Sequence, residues 1–320
     1  MDEQQHVSRL DPRVKAARVS VLSNTILVAL KLIVGVLIGS VSVISEAIHS
    51  ALDLAAALIA FFSLKKAAKP ADEHHQYGHG KIENISGLIE GLLIFFAAIW
   101  IIFEAYKKLI SGAHVEGIGL GMAVMAGAAT INYLVSRYLF RVAEATDSIA
   151  LKADALHLST DVVTSAGVMV GLGLIKLTGI ELLDPLVAVA VALLILKASF
   201  ELTKEAFLPL LDVKLPEEEE RAIVEIIQRH EANYVEFHKL RSRKAGAERH
   251  IDLHLVVPEN RHISDIHHMC DQIEQEIKER FPTSHVLIHA EPCDQVCVQC
   301  TSQGLCSDRD QVKKLLQRKN

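Results

Sequence analysis

This 320-residue chain is short of several things. It has no basic surplus: 33 Lys and Arg stand against 39 Asp and Glu, for a formal net charge of −6. That speaks against nucleic-acid binding by the chain as a whole. There is no GxxxxGK[ST] loop to cradle nucleotide phosphates, and no HExxH pair for a zinc hydrolase. The one His-Glu dipeptide, His230-Glu231, is followed by Ala-Asn-Tyr. The opening stretch MDEQQHVSRLDPRVKAAR is polar and charged. It lacks the apolar core and small-residue cleavage site of a secretory leader, so none is expected. The scarcest ingredient is charge in the first two thirds. Half of all the charged residues, 36 of them, fall in Asp212–Asn320. Such asymmetry excludes a single soluble domain and a disordered chain. Length alone favours about two domains.

What fills the charge-poor part is apolar. Runs extend over Val19 to about Val43, Ile44–Leu64, Ile85–Phe103, Ile118–Phe140, Ile149 to about Leu177, and Leu186–Phe207. Each reaches the roughly 20 residues needed to cross a bilayer core of about 30 Å. Backbone groups find no water in lipid, so the runs are expected as six transmembrane helices. Arg9, Arg13, Lys15 and Arg18 precede the first run, and Lys65, Lys66, Lys69 and Lys81 lie between the second and third. Arg137, Arg141 and Lys152 border the loop between the fourth and fifth, and Lys204 and Lys214 follow the sixth. The positive-inside rule then puts both termini in the cytoplasm.

After Asp212 the pattern changes. Four glutamates follow Pro216 and lead into RAIVEIIQRH, a helix start with acids in its first turn. YVEFHKLRSR and ERHIDLHLVV flank Ala-Gly and read as a β-hairpin. In the second strand Ile251, Leu253, Leu255 and Val257 alternate with His250, Asp252 and His254. ISDIHHMCDQIEQEIKERF reads as a helix and HVLIHAE as a third strand. The order α-β-β-α-β implies a small α+β domain with helices on one face of a sheet. The expected layout is a cytoplasmic N-terminal segment (1–18), a six-helix membrane domain (19–211), the α+β domain (212–293), and a Cys-containing tail (294–320).

Ionisable groups inside the apolar runs carry the chemistry. The second run holds EAIHSALD, with Glu46, His49 and Asp53; the fifth holds DALHLSTD, with Asp154, His157 and Asp161. Residues i and i+4 share a helix face, so each run offers one imidazole and one carboxylate side by side. An ionisable group at membrane depth costs about 2.5–3.5 kcal/mol on the insertion scale. A single such pair is as readily read as a carbonyl-bonded histidine and a helix-packing aspartate. Two matching pairs are better explained as a site. Together they supply two nitrogens and two oxygens, a tetrahedral set suited to zinc. Glu46 and Asp154 are either partners that orient the imidazoles or charges at helix entry.

These features together resemble the cation diffusion facilitator family. The resemblance covers about Val14 to Pro292. It rests on the two HxxxD motifs, on PADEHHQYGHGKIE, on LLD after the sixth run, and on the α-β-β-α-β domain. It implies a homodimer in the lipid bilayer that exchanges a cytoplasmic divalent metal for protons, without a nucleic-acid partner. It implies a transport site at His49, Asp53, His157 and Asp161, of the type found in zinc-selective members; some relatives carry Asp for the first His. It implies a loop metal site at Asp72, His75 and His79, with His74 spare, and a salt bridge between Lys81 and Asp212 that ties the two domains. It further implies a two-metal site at His238, His254, His267, His289 and Glu291. Glu291 stands where aspartate is common, and Ala290 where a ligand side chain sometimes occurs. Glu83 reads as helix-start chemistry. His230, His250, His262, His268 and His285 read as surface residues.

Cys293, Cys297, Cys300 and Cys306 form C-x3-C-x2-C-x5-C. In a reducing cytoplasm structural disulfides are not expected. Zinc, an iron–sulfur cluster or a plain unstructured tail are the alternatives. Cys270, on an apolar helix face, reads as core. The expected activity is proton-coupled export of Zn²⁺ by a secondary transporter, with Fe²⁺, Mn²⁺ or Cd²⁺ as alternative cargo. A membrane-embedded zinc enzyme is the alternative of another class, and it lacks its motif.

Overall fold

The computed structural model describes residues 11–38, 41–111, 120–180, 182–259 and 261–293. The chain divides into two compact units, Met1–Leu211 and Asp212–Asn320.

The first unit is helical. Its elements are α1 (Pro12–Ile38), α2 (Val41–Ala67), α3 (Lys81–Ser111), α4 (Leu120–Thr146), α5 (Ile149–Thr178) and α6 (Leu183–Phe207), followed by a 3₁₀ turn at Leu208–Leu211. They run from 25 to 31 residues, or about 37–46 Å at 1.5 Å per residue, enough to span a membrane. Among the described residues, four stretches are long and apolar enough to cross a membrane by length and composition: Pro12–Leu37, Glu46–Ala67, Lys81–Lys107 and Pro185–Leu211. Helices α4 and α5 hold more polar residues, Asn132, Ser136, Asp154, His157 and Asp161 among them.

Residues 12–18 belong to α1, although the sequence suggests a segment ahead of the first span. Proline is favoured at a first helical position. Asp11 Oδ1 accepts the backbone N–H of Arg13 at 2.8 Å, and both its oxygens accept from the Arg13 guanidinium. Glu83 does lie in the first turn of α3, but its role is wider than helix start. It is fully buried and accepts from Arg13 and from Ser148 Oγ. One carboxylate thereby ties the starts of α1, α3 and α5.

Helix α1 packs on α2, α3 on α6 and α4 on α5, while α2 also meets α5. Small residues permit these close approaches, as is usual where lipid removes the hydrophobic drive between helices. A Cβ at Gly91 would come within 2.6 Å of Thr203 Oγ1 and 3.3 Å of the Thr203 backbone, so α3 and α6 touch there almost backbone to backbone.

The second unit contains α7 (Glu217–Gln228), β1 (Glu236–Ala245), β2 (Glu248–Val257), α8 (Ile263–Arg280) and β3 (Ser284–Pro292). The sheet order is β1-β2-β3, antiparallel then parallel. Gly246 at φ 61° makes the tight hairpin turn, and α8 supplies the crossover that a parallel pair requires. Alternation along β2 buries Ile251, Leu253, Leu255 and Val257 against Ile223, Ile226 and Ile227 of α7 and Met269, Cys270, Ile273 and Ile277 of α8. Burying each such side chain stabilises by about 1.5–3 kcal/mol. The opposite face of the sheet is thereby left for the histidines. His250, expected at the surface, is buried there and stacks on the His285 ring at 5.0 Å.

Candidate metal centres

The site inside the helical unit follows from helix periodicity. His49 and Asp53 share one face of α2, and His157 and Asp161 one face of α5. The α2–α5 contact brings the two faces together. His49 Nε2 lies 4.0 Å from Asp53 Oδ1 and 4.0 Å from Asp161 Oδ1. His157 Nε2 lies 3.1 Å from Asp53 Oδ1, a hydrogen bond between the helices. Asp53 is the most sheltered of the four side chains and His49 the most exposed. Donor atoms of His49, Asp53 and Asp161 all lie within 4.8 Å of one another. Tetrahedral zinc with bonds of about 2.0–2.2 Å sets donors about 3.3–3.6 Å apart. The three-residue group is therefore nearly gathered, and the His157–Asp53 hydrogen bond holds the fourth side chain against it.

The loop between α2 and α3 holds a second group. Asp72 Oδ1 accepts the backbone N–H groups of His74 and His75 at 3.0 and 2.7 Å. Its Oδ1 lies 3.1 Å from His75 Nδ1, and its Oδ2 lies 3.2 Å from His79 Nε2. The His75 and His79 rings are 4.5 Å apart. Gly78, at φ 80°, lets the chain fold back so that its N–H reaches the His75 carbonyl at 2.9 Å. The His75 backbone N–H above all, with the His75 ring and the His74 N–H, holds the Asp72 carboxyl down at about 2. His79 is wholly buried, yet neither ring nitrogen makes a well-formed hydrogen bond. A buried polar atom in that condition suits a ligand. His74 is exposed and outside the group.

The third group lies on the sheet. His238, His254 and His289 stand opposite one another across β1, β2 and β3, so all three project from one face. Neighbouring rings are 5.4 and 4.9 Å apart. Glu291, two residues along β3, shares that face. Its Oε1 accepts from His254 Nδ1 at 2.6 Å, and its Oε2 lies 3.3 Å from His238 Nε2. His289 Nε2 is 3.7 Å from Oε1. The His254 bond first, then the charges of His254, Lys239 and His238, hold the Glu291 carboxyl below its usual range. A bulge follows His238, with Lys239 at φ 50°. Ala290 pairs with Leu255 on the core side, so that position faces away from the row. His267 stands apart within one chain: it lies exposed on α8, 3.6 Å from Asp271, and α8 packs on the opposite side of the sheet.

Two family models match the chain. The cation efflux transmembrane domain covers residues 17–211, and the cation efflux protein cytoplasmic domain covers residues 215–293. The chain belongs to the cation efflux family, the cation diffusion facilitators. An uncharacterized transporter, sll1263 of Synechocystis, is 40% identical over 256 residues, 80% of this chain and 83% of its own. The cation-efflux pump FieF of Serratia proteamaculans is 32% identical over 281 residues, 88% of this chain and 93% of its own. A solved structure of CzrB in a Zn form is 34% identical and covers 25% of this chain and 92% of its own, with a TM-score of 0.24.

A cation efflux protein is a membrane transporter and not an enzyme. The structure adds neighbours that the sequence pattern does not single out. Asn132 of α4 directs Nδ2 to Asp161 Oδ2 at 3.3 Å. A lone amide in an apolar run is the signal that could have found it. Glu46 does not orient an imidazole; it pairs with Lys31 of α1 at 3.3 Å. Asp154 is not a helix-entry charge, because it is fully buried, more than a turn inside α5. Asp212, at φ 54°, meets Arg243 at 3.2 Å within the second unit. Cys270 is buried in the domain core, and burial pushes its thiol up. Cys293 follows β3, its backbone N–H donating to the Val257 carbonyl at 2.8 Å, while Cys297, Cys300 and Cys306 lie outside the described residues.

Proposed function

We propose that the protein exports Zn²⁺ from the cytoplasm in exchange for protons, through His49, Asp53, His157 and Asp161. One observation carries the reading: donor atoms of His49, Asp53 and Asp161 lie within 4.8 Å of one another, and His157 Nε2 reaches Asp53 Oδ1 at 3.1 Å, so α2 and α5 bring two imidazoles and two carboxylates to one place. Zinc takes neutral imidazole and ionised carboxylate, so metal and protons compete for the same atoms. An ion arriving from the cytoplasm replaces the proton shared between His157 and Asp53. Opening to the other side lets protons displace the ion, and the protonated site returns. The gradient drives the cycle without ATP. The efflux direction is supported by the relatives named cation-efflux pumps. The Lys and Arg distribution supports cytoplasmic termini in a bacterial inner membrane.

The loop group and the sheet group are proposed as cytoplasmic metal sites. The match to the family's cytoplasmic domain supports a homodimer in which metal on the sheet group draws the two domains together and biases transport. The Lys81–Asp212 pair is proposed as the tie between membrane and cytoplasmic domains. Cys293, Cys297, Cys300 and Cys306 are a candidate thiolate set for a further zinc ion.

Proteoliposomes holding a zinc-responsive dye and the purified chain test the cargo. With an imposed pH step, Zn²⁺ flux should exceed Mn²⁺ and Fe²⁺ flux at equal free ion, and collapsing the step should stop it. Faster Mn²⁺ or Fe²⁺ movement would replace zinc as the cargo, because affinity order alone does not separate these ions in a cell. Flux indifferent to the pH step would remove the proton coupling.

A further inference from the structure

One buried charge beside the transport site has no place in that mechanism. Lys31 is the one charged residue of α1 after Arg18, set in the apolar stretch of that helix with a side chain only 9% exposed. Its ammonium donates to Ser50 Oγ at 2.8 Å and to Glu46 Oε2 at 3.3 Å. Glu46, His49, Ser50 and Asp53 follow the helical repeat along α2, so Lys31 grips the face that carries two of the proposed ligands. Its partners bracket His49: Glu46 stands one turn before it and Ser50 directly after. Across the site its charge also acts on Asp161 of α5. Its ion-pair partner is Glu46, and its second hydrogen-bond partner, Ser50, is neutral.

We propose that Lys31 determines ion choice, acting as a fixed cation that keeps Glu46 out of the transport site. The assignment rests on the transport reading above and deepens it. A lysine so deep in an apolar helix is tolerable only if paired. The pairing neutralises a third carboxylate that would otherwise stand one turn from His49. With Glu46 masked, the ion meets two nitrogens and two carboxylates, a set for zinc. With Glu46 freed, the site gains a third oxygen anion. It would then favour harder or larger ions with more oxygen ligands and would hold any divalent ion more tightly. Lys31 does not touch the ion; it acts through Glu46 and through its field on Asp161.

The test compares four full-length variants in proteoliposomes: Lys31→Met, Glu46→Gln, the Lys31→Met/Glu46→Gln double, and Asp161→Ala. Initial rates are read for Zn²⁺, Cd²⁺ and Mn²⁺. Lys31→Met should lower the KM for Cd²⁺ or Mn²⁺ relative to that for Zn²⁺ by about tenfold or more, with a lower maximal zinc rate, as expected for one added charge at short range. Glu46→Gln leaves the ammonium without its carboxylate and nearer in effect to Asp161, so the KM should rise for every ion. The double variant, which leaves no unpaired charge behind, should return towards wild-type ion ranking. Opposite shifts in the two single variants separate an electrostatic role from a packing role, which would move both the same way. A Lys31→Met protein that fails to fold leaves Glu46→Gln and the double to decide, and an unchanged KM in the first or a changed ranking in the second overturns the assignment. So does an unaltered ion ranking in a folded Lys31→Met protein. If Asp161→Ala transports like wild type, the transport reading fails and takes this assignment with it. If Asp161→Ala is inactive and the Lys31 variant is unchanged, only this assignment falls.

Discussion

The helical site and the sheet site set the same side chains on different supports. Both combine imidazoles with carboxylates. In the membrane unit the ratio is two to two, on two packed helices, and His157 and Asp53 already satisfy one another through their bond. On the sheet it is three to one, in a rigid cross-strand register, with Glu291 joining His238 and His254. A site that must release its ion benefits from an internal partner waiting to take the ion's place. A site that senses benefits from fixed geometry and open access. Ligand type is shared; the support beneath the ligands differs.

Substitutions should break this comparison unequally. The largest effect is expected for Asp53→Ala, because Asp53 serves both α2 and α5. Transport should fall by about a hundredfold or more, consistent with an unpaired buried imidazole and a lost ligand, as read by zinc flux in proteoliposomes. Replacing His238 and His254 together should leave the maximal rate nearly intact and shift the zinc concentration for half activation several-fold, in line with coupling energies of about 1–3 kcal/mol. An unchanged zinc dependence would leave the sheet site without a regulatory role. In the loop, Asp72→Asn should weaken bound zinc several-fold in equilibrium dialysis with little change in maximal flux. The Asp72 carboxyl is depressed to about 2 in the fold. Its stabilising effect is thus present above the ordinary carboxylate range and is lost as pH falls from about 4 towards 2. Dialysis across pH should therefore show no loss of loop zinc through this carboxyl above about pH 4.

The smallest effect concerns the start of α7. Burial pushes the Glu220 carboxyl up, but the bonds from Lys214 and Ser242, both at 2.7 Å, outweigh it and hold the group below its usual range. A depressed carboxyl stabilises above the ordinary glutamate range and loses that contribution as pH falls through the lowered value. Glu220→Gln should slightly reduce hydrogen-exchange protection of β1 at pH 7, and the difference should vanish on acidification below about pH 4.

The long apolar runs and the i, i+4 spacing make the six helices and the four proposed cargo ligands legible in the amino-acid sequence alone, because lipid leaves the backbone few choices. The two-residue period of β2 places His250, Asp252 and His254 opposite the core in the same way. Three things are not legible there. Glu83 and Asp154 owe their burial to tertiary contacts that no local pattern encodes. His238 aligns with His254 through a register that a bulge then interrupts, and a bulge has no clear sequence signal. Lys31 stands out in the sequence as the break in an apolar run, but its pairing with Glu46 depends on α1 lying against α2. The α1 start differs for a local reason, the Asp11-Pro12 cap that carries the helix into charged residues.

The proposed exchange of zinc for protons between α2 and α5 is tested most directly by radioactive zinc uptake into everted membrane vesicles under an imposed pH step, wild type against Asp161→Ala. Uptake should follow the pH step in the wild type and fall to the level of empty vesicles in the variant. Equal uptake by the two proteins would contradict a zinc site shared by the two helices.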